Sequence, residues 1–397
     1  MRIQLSRLLR TFFFAARFSW RQLYFEPMKL FAAALGVTFA TVLVFMQEGF
    51  RDSLLDSSAT MVRNLKGDLF LLHKQTEAFW RTLPFARSSL KRVYGHPHVK
   101  SVTPMYLAQG RWRNPSNLAI RTLKVVGIDP WSQGLCAQTV SRYQSQLNVD
   151  NTALFDLHSR PEFGPIPQLL DMAKGQGIHS DIERHRIHII GGFFMGASFA
   201  DDGHVLTSIR TFMNIFPRRN ANFIDAGLIE LHPGYNPERV KSELSPLLHP
   251  SVRLISLREI IEEEKNYWKK RTPIGFIFSM GVVLGLVVGM IIVYQILFTD
   301  IANHLSEYAT LKAMGYSQRY LMLVVLSSSI FLSLFGFIPG AVISGILYRI
   351  AENAMFIPIP MTIFRFLSVF SLIVMMCFVS GMLAIRKLKS ANPAEMF

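Results

Sequence analysis

The chain has 397 residues, half of them hydrophobic, and a formal net charge of +15; so apolar a composition excludes a disordered or polyelectrolyte protein. Two cysteines exclude a disulfide-built scaffold. There is no Gly-Lys dipeptide and no HExxH, GxSxG or CxxC motif, which excludes a P-loop and the common hydrolase and zinc signatures.

Residues 1–27 read as an amphipathic helix on the cytoplasmic side. Arg7, Arg10, Arg17 and Arg21 fall on one face, and Leu8, Leu9, Phe12, Phe13 and Trp20 crowd the rest. That pattern suits a helix lying on an anionic membrane surface. Basic residues interrupt the apolar stretch, so no cleavable signal is expected. Residues 28–47 then form a first transmembrane helix, since 30–47 carries no Asp, Glu, Lys or Arg. Apolar residues continue at helical spacing through 48–66, predicting a stalk helix above the membrane.

A polar α/β region follows. Strands are expected at 68–73, 99–111, 120–127, 223–231 and 252–256, and helices at 88–94 and 237–248. Residues 67–130 and 221–256 form the two parts of one subdomain, split by an insertion at 131–220. Within that insertion a hairpin over 185–208 is expected to turn at Asp201-Asp202-Gly203. His179, Asp181, Glu183, His185 and His188 form its richest polar cluster. Arg184 and Arg186 stand beside them and oppose a cation, so no metal site is assigned, and no catalytic constellation is found.

Residues 257–271 read as a second stalk helix, running on into the second span at 272–299. That span would rise roughly 40 Å as a helix. Its Gly281, Gly285 and Gly289 recur every fourth residue, exposing backbone for close helix packing, a dimer axis included. Residues 300–319 make a short cytoplasmic loop. Ser306 is placed as cap, Glu307 in the first turn, Lys312 in the last, and Gly315 as terminator of a two-turn helix. Tyr308, Leu311 and Met314 would form its exposed apolar edge. Spans at 320–348 and 366–385 complete the set, joined by a loop at 349–365 and followed by a basic tail at 386–397.

An even number of spans puts both termini on one side. Lys and Arg concentrate at both, so both are placed in the cytoplasm, with the large domain periplasmic. The charge is assigned to lipid headgroups; no nucleic-acid partner is expected. Cys136 and Cys377 are too far apart in this layout to pair. No charged residue lies inside the four uncharged stretches, which argues against an ion path.

The segment Glu307-Tyr308-Ala309-Thr310-Leu311-Lys312-Ala313-Met314-Gly315-Tyr316 resembles the coupling-helix motif of ABC-transporter permeases of the MacB/FtsX/LolC type. The layout of one span, a large domain and three spans is similar to theirs. Phe45-Met46-Gln47-Glu48-Gly49-Phe50-Arg51-Asp52-Ser53-Leu54 and the tail Asn392-Pro393-Ala394-Glu395-Met396-Phe397 resemble the DevC branch. The resemblance implies a split porter-like subdomain with an inserted second one. It implies a mechanotransmission exporter in which Glu307, Tyr308, Leu311, Lys312, Met314 and Gly315 contact a separate ATPase that binds ATP and Mg. It further implies a second permease copy, a membrane-fusion protein, a TolC-like outer-membrane channel and a lipid, glycolipid or other hydrophobic substrate. FtsX-like regulation of a cell-wall hydrolase and LolC-like lipoprotein release share these motifs and remain open.

Overall fold

The structure, a computed structural model, describes residues 14–21, 25, 27–132 and 141–390. Arg7, Arg10, Cys136 and the tail motif from Asn392 to Phe397 lie outside the described residues. The chain divides into two compact units. One comprises Met1–Ser53, Ile274–Met355 and Ile359–Phe397; the other comprises Leu54–Pro273 with Phe356–Pro358.

The labelled elements in chain order begin with helix α1 (Pro27–Ser58) and strands β1 (Leu69–His73), β2 (Phe85–Ala86), β3 (Val99–Arg113), β4 (Ile120–Ile128) and β5 (Thr152–Asp156). Next come β6 (Ile178–Ile182), β7 (His185–Phe193), β8 (His204–Ser208), β9 (Phe223–Ile224) and β10 (Ala226–Leu231). Then follow α2 (Pro237–Leu244), β11 (Val252–Ser256), α3 (Leu257–Asn266), α4 (Pro273–Asn303), α5 (Leu305–Ala313), α6 (Gln318–Met355) and α7 (Ile363–Ser390).

In the α/β unit, nine strands form one mixed sheet in the order β11-β1-β10-β3-β4-β8-β5-β7-β6, and β6 also pairs with β3. The first half of the 15-residue β3 pairs with β10; its second half pairs with β4 and, at Trp112 and Arg113, with β6. That last pairing closes β3-β4-β8-β5-β7-β6 into a ring, while β11-β1-β10 extends as an open sheet. The inserted strands β5 to β8 thus complete their hydrogen bonding on β3 and β4. The chain boundary at 131 is therefore not a boundary of the sheet.

Strand β1 shows why a continuous apolar run was needed. Leu69 and Leu71 enter one core and Phe70 and Leu72 the other, all within 1% of full burial. A strand covered on both faces loses the alternation that marks a half-exposed one.

The expected hairpin over 185–208 does not form. Strand β7 pairs antiparallel with β6 and parallel with β5, whereas β8 lies parallel to β4. The actual hairpin is β6-β7, and Glu183 and Arg184 turn it with φ of 51° and 65°. Positive φ at two successive positions fits the twist of a two-residue hairpin, but ordinarily selects Asn or Gly. Here Glu183 is held from outside: its carboxylate accepts from the Arg111 backbone N–H at 2.8 Å and guanidinium at 2.9 Å. The Arg111 hydrogen bond keeps that carboxyl below its usual pKa.

The second stalk also differs from expectation. α3 opens with a capping box, Ser256 with Glu259. Residues Tyr267–Arg271 then form a π turn, and Thr272 is extended at φ −112° and ψ 155° before Pro273 opens α4. Proline disfavours helical backbone in the residue before it and lacks the N–H that a continuing helix would use. The helix therefore breaks at 272. On the other stalk, α1 runs unbroken to Ser58, and Thr60–Arg63 forms a separate helical turn.

Among the described residues, four helices are long and apolar enough to cross a membrane: Pro27–Ser58, Pro273–Asn303, Gln318–Met355 and Ile363–Ile385. Ala33, Val37, Ala40 and Val44 of α1 are fully buried at helical spacing, so α1 presents one stripe to the others.

Candidate functional site

Helix α5 stands between the second and third candidate spans, and its two ends are built differently. At its start Ser306 does not cap. The helix begins at Leu305, and the N-cap position is His304, which makes no side-chain capping bond. The His304 ring instead sits 3.0 Å from the Asp300 carbonyl, tying it back to the end of α4. Ser306 lies inside the first turn, and its carbonyl accepts from the Thr310 hydroxyl at 2.9 Å. Glu307 in the first turn and Lys312 in the last oppose the two ends of the helix dipole.

The C-terminal end is a Schellman closure. Tyr316 N–H donates to the Leu311 carbonyl and Gly315 N–H to the Lys312 carbonyl, each at 3.1 Å. Gly315 takes φ +91°, a conformation that L-residues avoid. The chain then turns at once into α6, where the Ser317 hydroxyl accepts from Tyr320 N–H at 3.3 Å as a cap. Four residues, Met314 to Ser317, thus connect the two helices.

Burial revises the expected contact edge. Tyr308 is 3% exposed and belongs to the core of the membrane-spanning unit, with Leu311 half-buried against it. The expected row of Tyr308, Leu311 and Met314 does not lie on one open face. The exposed surface is formed by Glu307, Thr310, Lys312 and Gly315, with Met314 at 63% and Tyr316 at 47%. Tyr316, which spacing alone did not single out, lies against Tyr320 with ring centroids 5.0 Å apart and planes tilted by 37°. Its position three residues beyond the helix, after a glycine, was the available signal.

The glycine row of α4 finds its partner within the same chain. A side chain at Gly289 would begin 2.6 Å from the Ala40 Cβ, one at Gly285 3.3 Å from the Leu43 Cβ, and one at Gly281 2.4 Å from the Gln47 amide carbon. The row is covered by α1, not left open along a two-fold axis. A second row escaped sequence reading. At Gly336 and Gly340 of α6, a Cβ would lie 2.3 Å and 2.7 Å from the Cβ atoms of Val37 and Thr41. Thr38 fixes this contact by donating to the Gly336 carbonyl at 3.0 Å. Helix α1 is thereby clamped between two notched helices.

At the other end of the bundle a charged cluster closes α1 against α7. Arg51 is bonded to Glu48 at 2.9 Å and to Asp52 at 3.0 Å, and Asp52 also receives Arg365 at 3.2 Å. Arg365, expected in a loop, is only 4% exposed. It donates to the Pro360 carbonyl at 2.8 Å and lies over the Tyr348 ring, 5.7 Å from its centroid. The Tyr348 hydroxyl donates to the Phe45 carbonyl.

Residues 14–21 are helical; Arg17 and Arg21 are exposed, while Ala15 and Ser19 are buried. Trp20 rests on Phe331 and Phe335 of α6, each at 5.5 Å. The polar cluster of the insertion is dispersed. His179 stacks on His188, His185 bonds Asn151, and Asp181 and Glu183 bond Arg113 and Arg111. Among the described residues no group of three or more His, Cys, Asp or Glu is placed to hold a metal.

Residues 279–393 match the family model described as FtsX-like permease C-terminal. None of the curated proteins matches the chain. Among solved structures, the chain is similar to the periplasmic region of MacB from Actinobacillus actinomycetemcomitans, at 13% identity and TM-score 0.36, over 52% of this chain and 96% of that one. It is also similar to the extracellular domain of the noncanonic ABC-type transporter YknZ from Gram-positive bacteria, at 12% identity and TM-score 0.34, over 48% and 99%. A domain of a putative permease protein from Porphyromonas gingivalis aligns at 16% identity and TM-score 0.27, over 48% and 86%.

Proposed function

We propose that the chain, whose residues 279–393 match the FtsX-like permease C-terminal family model, is the membrane subunit of an ABC-type exporter driven by a separate ATPase. The observation that carries this reading is α5, a short helix closed at Gly315 and rooted in the spans through Tyr308. A helix held in this way passes a push on to the bundle; a loose loop would absorb it. The ATPase, which binds ATP and Mg, meets Glu307, Lys312, Met314 and Gly315, joined by Tyr316. Tyr308 and Leu311 act as anchors beneath that surface.

In this proposal both termini and α5 face the cytoplasm and the α/β unit faces the periplasm. The charge-poor centres of the spans support mechanotransmission, in which substrate moves along the outer domain without crossing between the spans. The substrate class is a lipid, glycolipid or other hydrophobic molecule. A second copy of the chain, a membrane-fusion protein and a TolC-like channel complete the assembly, as in the DevC branch.

The test is an affinity pull-down of the tagged chain from gently solubilised, crosslinked membranes. An ATPase recovered with a fusion protein is the expected result. An ATPase with a wall hydrolase or a lipoprotein carrier transfers the function to signalling or lipoprotein release, and no ATPase overturns the proposal. Gly315→Val checks the role of α5: forcing a branched residue to φ +91° strains the cap by about 1–2 kcal/mol. Membrane insertion should persist while ATP hydrolysis uncouples from export. Normal export by this variant would sink the assignment of α5.

A further inference from the structure

A cavity of about 480 Å³ lies in the membrane-spanning unit, against the C-terminal part of α6 and the segment leading into α7. Its α6 wall is one helix face, stepping through Val342, Gly345, Ile346, Arg349 and Glu352. From the first to the last is a rise of about 15 Å. The chemistry changes along that rise. Val342 and Ile346 are exposed apolar side chains, at 60% and 57%. Arg349 and Glu352 supply opposite charges at the other end.

Among the described residues, neither Arg349 nor Glu352 has a hydrogen bond or an ion pair, although they stand three residues apart on one helix. Arg365, by contrast, is engaged by Asp52 and by the carbonyl of the lining residue Pro360. Gly345 forms the open part of the wall. A Cβ there would meet nothing within 4 Å, whereas at Gly336 and Gly340 it would collide with α1. Two glycines of α6 are used for helix packing, and the third leaves space.

We propose that this cavity binds the headgroup of a zwitterionic glycerophospholipid carrying a primary ammonium, of the phosphatidylethanolamine class. The phosphate faces Arg349, the ammonium faces Glu352, and the acyl chains leave along Val342 and Ile346. The charge pair selects the headgroup. An anionic glycerol headgroup would gain Arg349 but meet repulsion from Glu352, and a choline headgroup has no N–H to donate to that carboxylate. The apolar wall selects a lipid over a free phosphoester. This site stands independently of which partner binds α5.

The full chain would be reconstituted in vesicles of equal phosphatidylethanolamine and phosphatidylglycerol, re-extracted in mild detergent, and its retained lipids counted by native mass spectrometry. Wild type should retain the ethanolamine lipid in about tenfold preference. Gly345→Leu fills open space with a better helix former, so it should stay monodisperse and lose that lipid. Glu352→Gln, at a side chain without a protein partner, should bring the preference close to one while the protein folds normally. Equal retention of both lipids by wild type overturns the proposal. So does unchanged preference in Glu352→Gln, or displacement of the lipid by soluble glycerophosphoethanolamine at equal concentration.

Discussion

Glu264 of α3 offers a stability prediction that the structure makes quantitative. Its side chain is 1% exposed, and its carboxylate accepts from Phe79 N–H at 2.5 Å and from the Trp268 indole at 3.1 Å. Burial pushes its pKa up from 4.5 to about 7; the two hydrogen bonds and Lys124 pull the other way without cancelling it. The unfolded chain releases this proton near the ordinary value, while the folded chain keeps it until about pH 7. Between those limits the folded state binds more protons, so raising the pH costs stability. The contribution is fully present below about pH 4.5 and lost as pH rises through about 7, a change on the order of 3 kcal/mol. Burial pushes Asp225 in the same direction and adds to the slope, while the lowered pKa of His179, caused first by desolvation, opposes it. Glu264→Gln removes the Glu264 share. Its amide nitrogen cannot accept, so one of the two donors loses its partner, costing about 1–3 kcal/mol at pH 5. The assay is denaturant unfolding of the full chain in detergent at pH 5 and pH 8, followed by tryptophan emission. Trp80 and Trp268, with rings 5.7 Å apart, report on this region. The variant should be less stable than wild type at pH 5 and should lose less stability towards pH 8. An unchanged slope would refute the reasoning.

Two further outcomes follow from the membrane-spanning unit, alongside the uncoupling expected of Gly315→Val. Gly336→Val places a Cβ 2.3 Å from that of Val37 and must push α1 aside. A loss of roughly 1–3 kcal/mol is expected, read as a lower aggregation temperature in detergent; Gly345→Val should show no such loss. Arg365→Met removes one of the two arginine partners of Asp52 and the donor to the Pro360 carbonyl, and should destabilise by about 1–3 kcal/mol. Asp52→Asn paired with it should recover part of that loss in a double-mutant cycle, since the two side chains touch.

What the sequence determined by itself were features whose causes lie within a few residues of one another. Four uncharged stretches long enough to cross a bilayer predicted four spans, and four such helices are present among the described residues. Gly315 predicted a helix stop, since only glycine takes φ +91° without strain, and the Schellman closure is there. β1, β3, β4 and β11 were legible from apolar runs bounded by turn residues. The Asp201-Asp202-Gly203 signal misled because β8 was claimed by β4, a partner some 80 residues away in sequence. Tyr308 was expected outside because helical spacing gives a periodicity but not the identity of the face that is covered. The glycine row of α4 announced close packing without naming α1. Glu183 and Arg184 turn a hairpin because Arg111, from another strand, holds the first of them. Burial of Arg365 and Glu264 likewise depends on partners distant in sequence: Asp52 for one, and Phe79 for the other. Spacing, capping and backbone conformation are local quantities and can be read from the chain; which face is buried, and against what, is decided only when the remote segments meet.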